Sequence, residues 1–238
     1  MARLQWDQTG ERYFETGVDH GALYIYDKTD REYNDSHVWN GLTGVTESPS
    51  GAEPTPLYAD NIKYLNLMSA EEFGATVEAF TYPDAFARCD GSYVRGGVAV
   101  SQQNREQFGM AYRTRVGNDV EGDSLGYKLH LIWGAQAAPS EKAYATVNDT
   151  PEALTFSWTL STTAVPFPDE SEFSGLKPTA HMVIDSRTAD QAALTELEGI
   201  LYGSETEEAR LPMPHEVLEM FPETGDVSQA SLHIGEEV

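Results

Sequence analysis

The chain is short of three things, and each shortage excludes something. It has one cysteine, Cys89, so no intrachain disulfide can form and a disulfide-stapled secreted module is ruled out. A lone thiol beside a turn reads as a small buried residue rather than a catalytic nucleophile. Long apolar runs are missing: none is long enough to span a bilayer, and the opening MARLQWDQTGERYFETG has no apolar signal core, so a cytosolic place of synthesis is expected. Positive charge is scarce. Fifteen Lys and Arg face 39 Asp and Glu, a formal net charge of −24. Such a surface repels phosphate backbones and anionic lipid, which argues against tight nucleic-acid binding and against membrane attachment. The imbalance is uneven, because positions 170–238 hold fifteen acidic and three basic residues, half of the net charge.

Recognisable catalytic spacings are missing too. There is no G-x-S-x-G, no P-loop, no C-x-x-C and no H-E-x-x-H. The six histidines, His20, His37, His130, His181, His215 and His233, are scattered. His130 falls on a strand pattern and reads as a satisfied strand residue. Asp119, Glu121 and Asp123 alternate like the start of a calcium loop, but an EF-hand needs Gly at its sixth position and Glu at its twelfth, where Ser124 and His130 stand. The segment therefore reads as a solvated acidic hairpin tip, with a looser cation site as the lesser reading. Carboxylate pairs abound in so acidic a chain, so proximity alone does not mark acid–base chemistry, which needs two carboxylates at a set separation in a cleft. No catalytic, cofactor or metal residue is assigned, and none of the cofactor classes is expected.

What the chain does have is period-two alternation. Ala22 to Tyr26, Ile62 to Met68, Ala75 to Tyr82, Phe108 to Arg115, Tyr127 to Trp133 and Leu154 to Leu160 all read as strands. Phe108, Met110 and Tyr112 share a face opposite Arg113 and Arg115. Tyr127, Leu129, Leu131 and Trp133 align, as do Leu154, Phe156, Trp158 and Leu160, which places Trp133 and Trp158 in a core. Asn40-Gly41, Asp90-Gly91, Gly96-Gly97 and Gly117-Asn118 carry turn chemistry. Arg113 to Lys128 reads as a hairpin with a long polar tip. Ser48 to Pro56 reads as a flexible or extended loop that cannot lie in a central strand.

Helical signals come late. The spacing of Leu194, Leu197 and Leu201 predicts a helix over about Ala189 to Tyr202, capped by Thr188 or Asp190 and closed by Gly203. Pro212 to Met220 predicts a short second helix with Pro214 in its first turn. A linker is expected over Pro166 to Pro178, and the polar tail after Pro222 is expected to be loosely ordered in a free subunit.

Two long blocks carry a family resemblance: ESPSGAEPTPLYADNIKYLNLMSAEEFGATVEAFTYPDAFARCDG (Glu47 to Gly91) and FGMAYRTRVGNDVEGDSLGYKLHLIWGAQAAPSEKAYATVNDTPEALTFSWTLSTTAV (Phe108 to Val165). With ERYFETGVDHGALYIY and AHMVIDSRTADQAALTELEGILYG, the chain resembles the major tail (tail tube) proteins of long, non-contractile-tailed bacteriophages, siphophages of actinobacterial type, over about Trp6 to Phe221. The resemblance implies a mainly β fold: an antiparallel β-sandwich or barrel-like tail tube domain with a flanking α-helix and long inter-subunit loops. Residues 1–165 would form the tube domain, and 166–238 the remainder of it or a small acidic, helix-bearing C-terminal region.

It also implies a structural virion protein with no enzyme activity. Such subunits form hexameric rings that stack into a hollow tail, made in the host cytoplasm and ending in the virion. Their partners would be other copies of the chain and the tape-measure, tail tip and tail terminator proteins. Double-stranded DNA would pass through without specific binding, and no membrane is involved. A ring closes sheet edges between neighbours, while a heterologous ring-to-ring contact propagates a filament. An acidic lumen wall would help DNA slip. The length and polarity of two segments make them inter-subunit contact candidates: Ser48, Pro49, Glu53, Pro54, Pro56 and Tyr58 in the first, Asn118, Asp119, Glu121 and Asp123 in the second. The competing readings are a carbohydrate-binding β-sandwich, used in decoration or receptor binding, and a β-sandwich hydrolase, since a shared sandwich fold does not decide among them.

Overall fold

In a computed structural model, residues 3–146 and 153–221 are described. The polar tail expected after Pro222 lies outside them. The protein is mainly β. In chain order the strands are β1 (Phe14–Asp27), β2 (Glu32–Trp39), β3 (Leu42–Glu47), β4 (Ser50–Gly51), β5 (Pro54–Ala59), β6 (Ile62–Met68), β7 (Glu71–Glu72), β8 (Gly74–Ala79), β9 (Tyr93–Arg95), β10 (Val98–Val100), β11 (Phe108–Asn118), β12 (Gly122–Ala137), β13 (Phe156–Thr162) and β14 (His181–Asp185). Among the described residues they are followed by α1 (Gln191–Tyr202) and α2 (Pro214–Met220). The main sheet is antiparallel with the order β2-β1-β11-β12-β13-β8-β3, and β14 pairs with the middle of β12.

That sheet curls until its ends approach. Gly21 in β1 makes the approach possible, since a Cβ there would fall 2.4 Å from Leu42 Cδ1 in β3. The curl encloses one core, in which Leu23, Ile25, Trp39, Phe86, Phe108, Met110, Trp158 and Leu160 meet. The convex face carries a second core. There Ala22, Tyr24, Ala111, Leu129, Leu131 and Trp133 pack against Leu194, Leu197 and Leu201 of α1 and Val217 of α2. Alternation along β1, β11 and β12 therefore serves two cores, and these strands are buried on both faces rather than one.

A bulge keeps β12 in phase with that demand. Met110 pairs with Ile132 and Phe108 with Ala135, so Trp133 and Gly134 together oppose Gly109. Gly134 has φ 63°, and a Cβ on it would meet Thr163 O at 2.1 Å, so only glycine fits there. The bulge is why Trp133 faces the helices while Ala135, two residues on, faces the other core.

Polar caps fix the second layer. Asp190 caps α1 by accepting from the backbone N–H groups of Ala192 and Ala193. Trp133 Nε1 donates to Pro212 O at 2.9 Å and Tyr24 Oη to Leu201 O at 2.7 Å, which ties both helices to the sheet. Glu216 accepts from Arg210 at 2.9 and 3.1 Å and from Met213 N at 2.6 Å, which locks the start of α2.

Two readings change in detail. The hairpin over 113–128 has no long polar tip: β11 runs to Asn118 and β12 starts at Gly122, so the strands themselves are long and only the turn is short. The stretch read as a loop from Ser48 to Pro56 contains β4 and the start of β5. Pro54 and Pro56 are tolerated in β5 because their missing N–H groups fall on the same side of a strand that has a partner only in β6.

Candidate functional site

Among the described residues three small two-stranded sheets stand off the main sheet, and the β5–β6 hairpin is the largest of them. Every residue of both strands is exposed. Its register pairs Thr55 with Leu67, Leu57 with Leu65 and Ala59 with Ile62. Cross-strand partners share a face, and a register shift that skips Tyr64 brings Ile62 round to the face of Leu65 and Leu67, so the hairpin carries an apolar ribbon along its length. Ile62 is 64% exposed and Leu67 56%. Tyr58, Tyr64 and Met68 add exposed apolar area on the same hairpin, each at about 70%. None of these residues joins either core. The β9–β10 hairpin repeats the pattern with exposed Tyr93, Val94, Val98 and Val100. A lone two-stranded hairpin is marginally stable in water, and a contiguous exposed apolar face marks an interaction site.

The contact candidates divide between two places. Ser48 and Pro49 lie between β3 and β4, and Glu53 immediately precedes β5. Pro54, Pro56 and Tyr58 stand on the hairpin, on the face opposite Leu57. Asn118, Asp119, Glu121 and Asp123 lie far off in the chain at the β11–β12 turn. Asn118 is buried, and its side chain is consumed within the subunit. Its Oδ1 accepts from Val120 N and Glu121 N, and its Nδ2 donates to Gly10 O. Asp119 accepts from Gly10 N at 2.9 Å, so this turn pins the N-terminal segment. Asp123 lies 3.5 Å from Arg115. Arg115 and Arg113 both donate to Asp19 at 3.1 Å. Burial alone would raise the Asp19 carboxyl, but hydrogen bonds from His20, Arg113 and Arg115 outweigh it and hold the group below its ordinary value. In the alternation of IKYLNLM, Leu65 and Leu67 share a face while Ile62 falls with Tyr64, Asn66 and Met68; the register shift at Tyr64 is what moves Ile62 onto the ribbon with Leu57, Leu65 and Leu67.

A polar cluster lies at one end of the curled sheet, next to the segment that leads into the hairpin. Glu47 ends β3, His130 lies mid-β12 and His181 opens β14. The rings stack in a column: Phe73 on His181 with centroids 4.3 Å apart, His181 on His130 at 5.7 Å, His130 on Tyr112 at 4.5 Å. Across from them sits the Glu47 carboxylate, with Oε1 accepting from Tyr112 Oη at 2.9 Å. His130 Nδ1 lies 3.1 Å and His181 Nε2 3.5 Å from that same oxygen. Neither approach has hydrogen-bond geometry, so both buried ring nitrogens are without a hydrogen-bond partner. Burial pushes both imidazoles below their ordinary pKa, and nearby Glu47 offsets this only in part.

His130 was read as a satisfied strand residue, and the structure corrects that. Its Nε2 is paired with Thr114 Oγ1 at 3.0 Å, while its Nδ1 is left open. No local signal could have found this cluster, because its members are 83 and 51 positions apart in sequence. Elsewhere, burial pushes the Cys89 thiol up to about 12, and Cys89 packs in the enclosed core. Among the described residues no helix is long and apolar enough to cross a membrane. No family model and no curated protein matches the chain.

Proposed function

We propose that the chain is a structural virion protein: the major tail tube subunit of a long, non-contractile-tailed phage, which assembles into stacked hexameric rings. The observation that carries this reading is the apolar ribbon of the β5–β6 hairpin. A chain with net charge −24 that leaves such a ribbon in water needs a partner surface to cover it, and a second copy of the chain supplies one in a self-assembling tube. The mainly antiparallel sheet with a flanking helix is the architecture that such subunits would have, and the acidic surface suits a conduit that DNA must slide along.

On this reading the tape-measure, tail tip and terminator proteins are the further partners, the assembled protein resides in the tail, and no catalysis is required. The alternative, a carbohydrate-binding module, has less support. Trp39, Trp133 and Trp158 are buried in the two cores, which leaves Trp6 as the exposed tryptophan and gives no row of indoles for stacking on a sugar.

The test is negative-stain electron microscopy of the purified chain across a concentration series, with a glycan array in parallel. Rings of six-fold symmetry or regular tubes, with no glycan bound, are expected. A chain that stays monomeric throughout and binds a defined glycan would overturn the proposal in favour of the alternative.

A further inference from the structure

We propose that Glu47, His130 and His181 form a binding site for one divalent transition-metal ion of the zinc class, clipping β3 to β12 and β14. The proposal stands on its own geometry, whether or not the chain assembles.

The donor atoms already sit where such an ion would want them. Zinc bonds imidazole nitrogen and carboxylate oxygen at about 2.0–2.1 Å in a tetrahedral array, which separates neighbouring donors by about 3.3 Å. The two donor separations to Glu47 Oε1 are 3.1 and 3.5 Å, and all three donor atoms lie within 4.8 Å of one another.

The ring nitrogens have no competing use. His130 is 7% exposed, and its Nδ1 is a buried polar atom with no partner. A buried, unsatisfied nitrogen is costly, so it is rarely left in that state without a ligand to fill it. His181 Nε2 is in the same condition and faces the same oxygen.

The surroundings supply the outer contacts that orient metal ligands. The Thr114 hydroxyl sits on His130 Nε2, and a proton held there leaves the Nδ1 lone pair directed at the site. The Tyr112 hydroxyl donates to the Glu47 carboxylate and fixes its orientation. The stacked column of Phe73, His181, His130 and Tyr112 holds both imidazole planes. Glu47 is partly exposed, which leaves an entry path and a fourth position for water. Two imidazoles and one carboxylate favour zinc, cobalt or nickel over calcium or magnesium, which prefer all-oxygen sites.

The experiment uses the untagged full chain, stripped with a chelator and titrated with Co(II), then with Zn(II) in competition. The expected result is one equivalent of Co(II) with the visible band of a four-coordinate ion, displaced by Zn(II), and a metal-dependent rise in Tm. Glu47→Gln and His181→Asn should each lose the band, and Tyr112→Phe should weaken binding roughly tenfold or more through its outer contact. Near-UV circular dichroism of the metal-free variants checks that they fold; if His181→Asn does not, Glu47→Gln, on a partly exposed side chain, carries the test. A wild-type chain that retains no metal after dialysis, or variants that bind as the wild type does, would overturn the proposal.

Discussion

Replacing Leu57 and Leu67 by serine should stop assembly without unfolding the subunit. Both side chains lie on the ribbon face of the β5–β6 hairpin, 43% and 56% exposed in the isolated chain. Fully burying a leucine is worth about 1.5–3 kcal/mol. About half of that remains to be gained when each docks, so roughly 1 kcal/mol per residue is lost on truncation. Two residues make about 2 kcal/mol per hairpin contact, and desolvating the new hydroxyls raises the loss toward about 4 kcal/mol. Each 1.4 kcal/mol is about a factor of ten, so the concentration at which rings or tubes appear should rise roughly 30-fold to 1,000-fold.

The fold should hardly notice. Neither residue belongs to a core, and surface changes of this kind stay within about 0.5 kcal/mol. That corresponds to a Tm shift of about 1–2 °C for a chain of this size. Sedimentation velocity across a dilution series reads the first quantity and a thermal melt the second. If the double variant assembles at the wild-type concentration, the hairpin is not the assembly arm; if it melts far below the wild type, the ribbon belongs to the fold instead.

Three further outcomes test the structure itself. Leu197→Ala, which opens a cavity between α1 and the sheet, should cost about 2–5 kcal/mol in chemical denaturation, whereas Asp190→Ala should cost only about 1 kcal/mol through the lost cap. The Asp19 carboxyl is held below its unfolded value, so its contribution is present at neutral pH and is lost as pH falls through its folded pKa; Asp19→Asn should therefore flatten the acid limb of a Tm–pH profile below about pH 4. Cys89 is buried with its thiol pushed up to about 12, so a thiol reagent should leave the native chain untouched and label it fully in denaturant; rapid native labelling would contradict its place in the core.

Much of this molecule was legible along the chain because the physics involved is local. Alternation in FGMAYRTR and YKLHLIW fixes which side chains share a face, and Phe108, Met110 and Tyr112 do meet in one core while Leu129, Leu131 and Trp133 meet in the other. The residues of IKYLNLM form one strand at the expected bounds, and α1 starts where Asp190 can cap it and stops at Gly203. Composition alone set the acidic surface and excluded disulfides.

Only the tertiary structure decided how many cores that alternation serves. A period of two cannot say whether the second face meets water or two helices, and the Gly134 bulge that assigns Trp133 and Ala135 to different cores depends on pairing with β11. It also decided that the β5–β6 alternation leaves its apolar side uncovered, since a pattern records a face but not what lies against it. The convergence of Glu47, His130 and His181 was the least legible feature of all. It arises because the curl brings β3 to the paired strands β12 and β14, and no spacing within the chain encodes a distance of 3.1 Å between residues 83 positions apart.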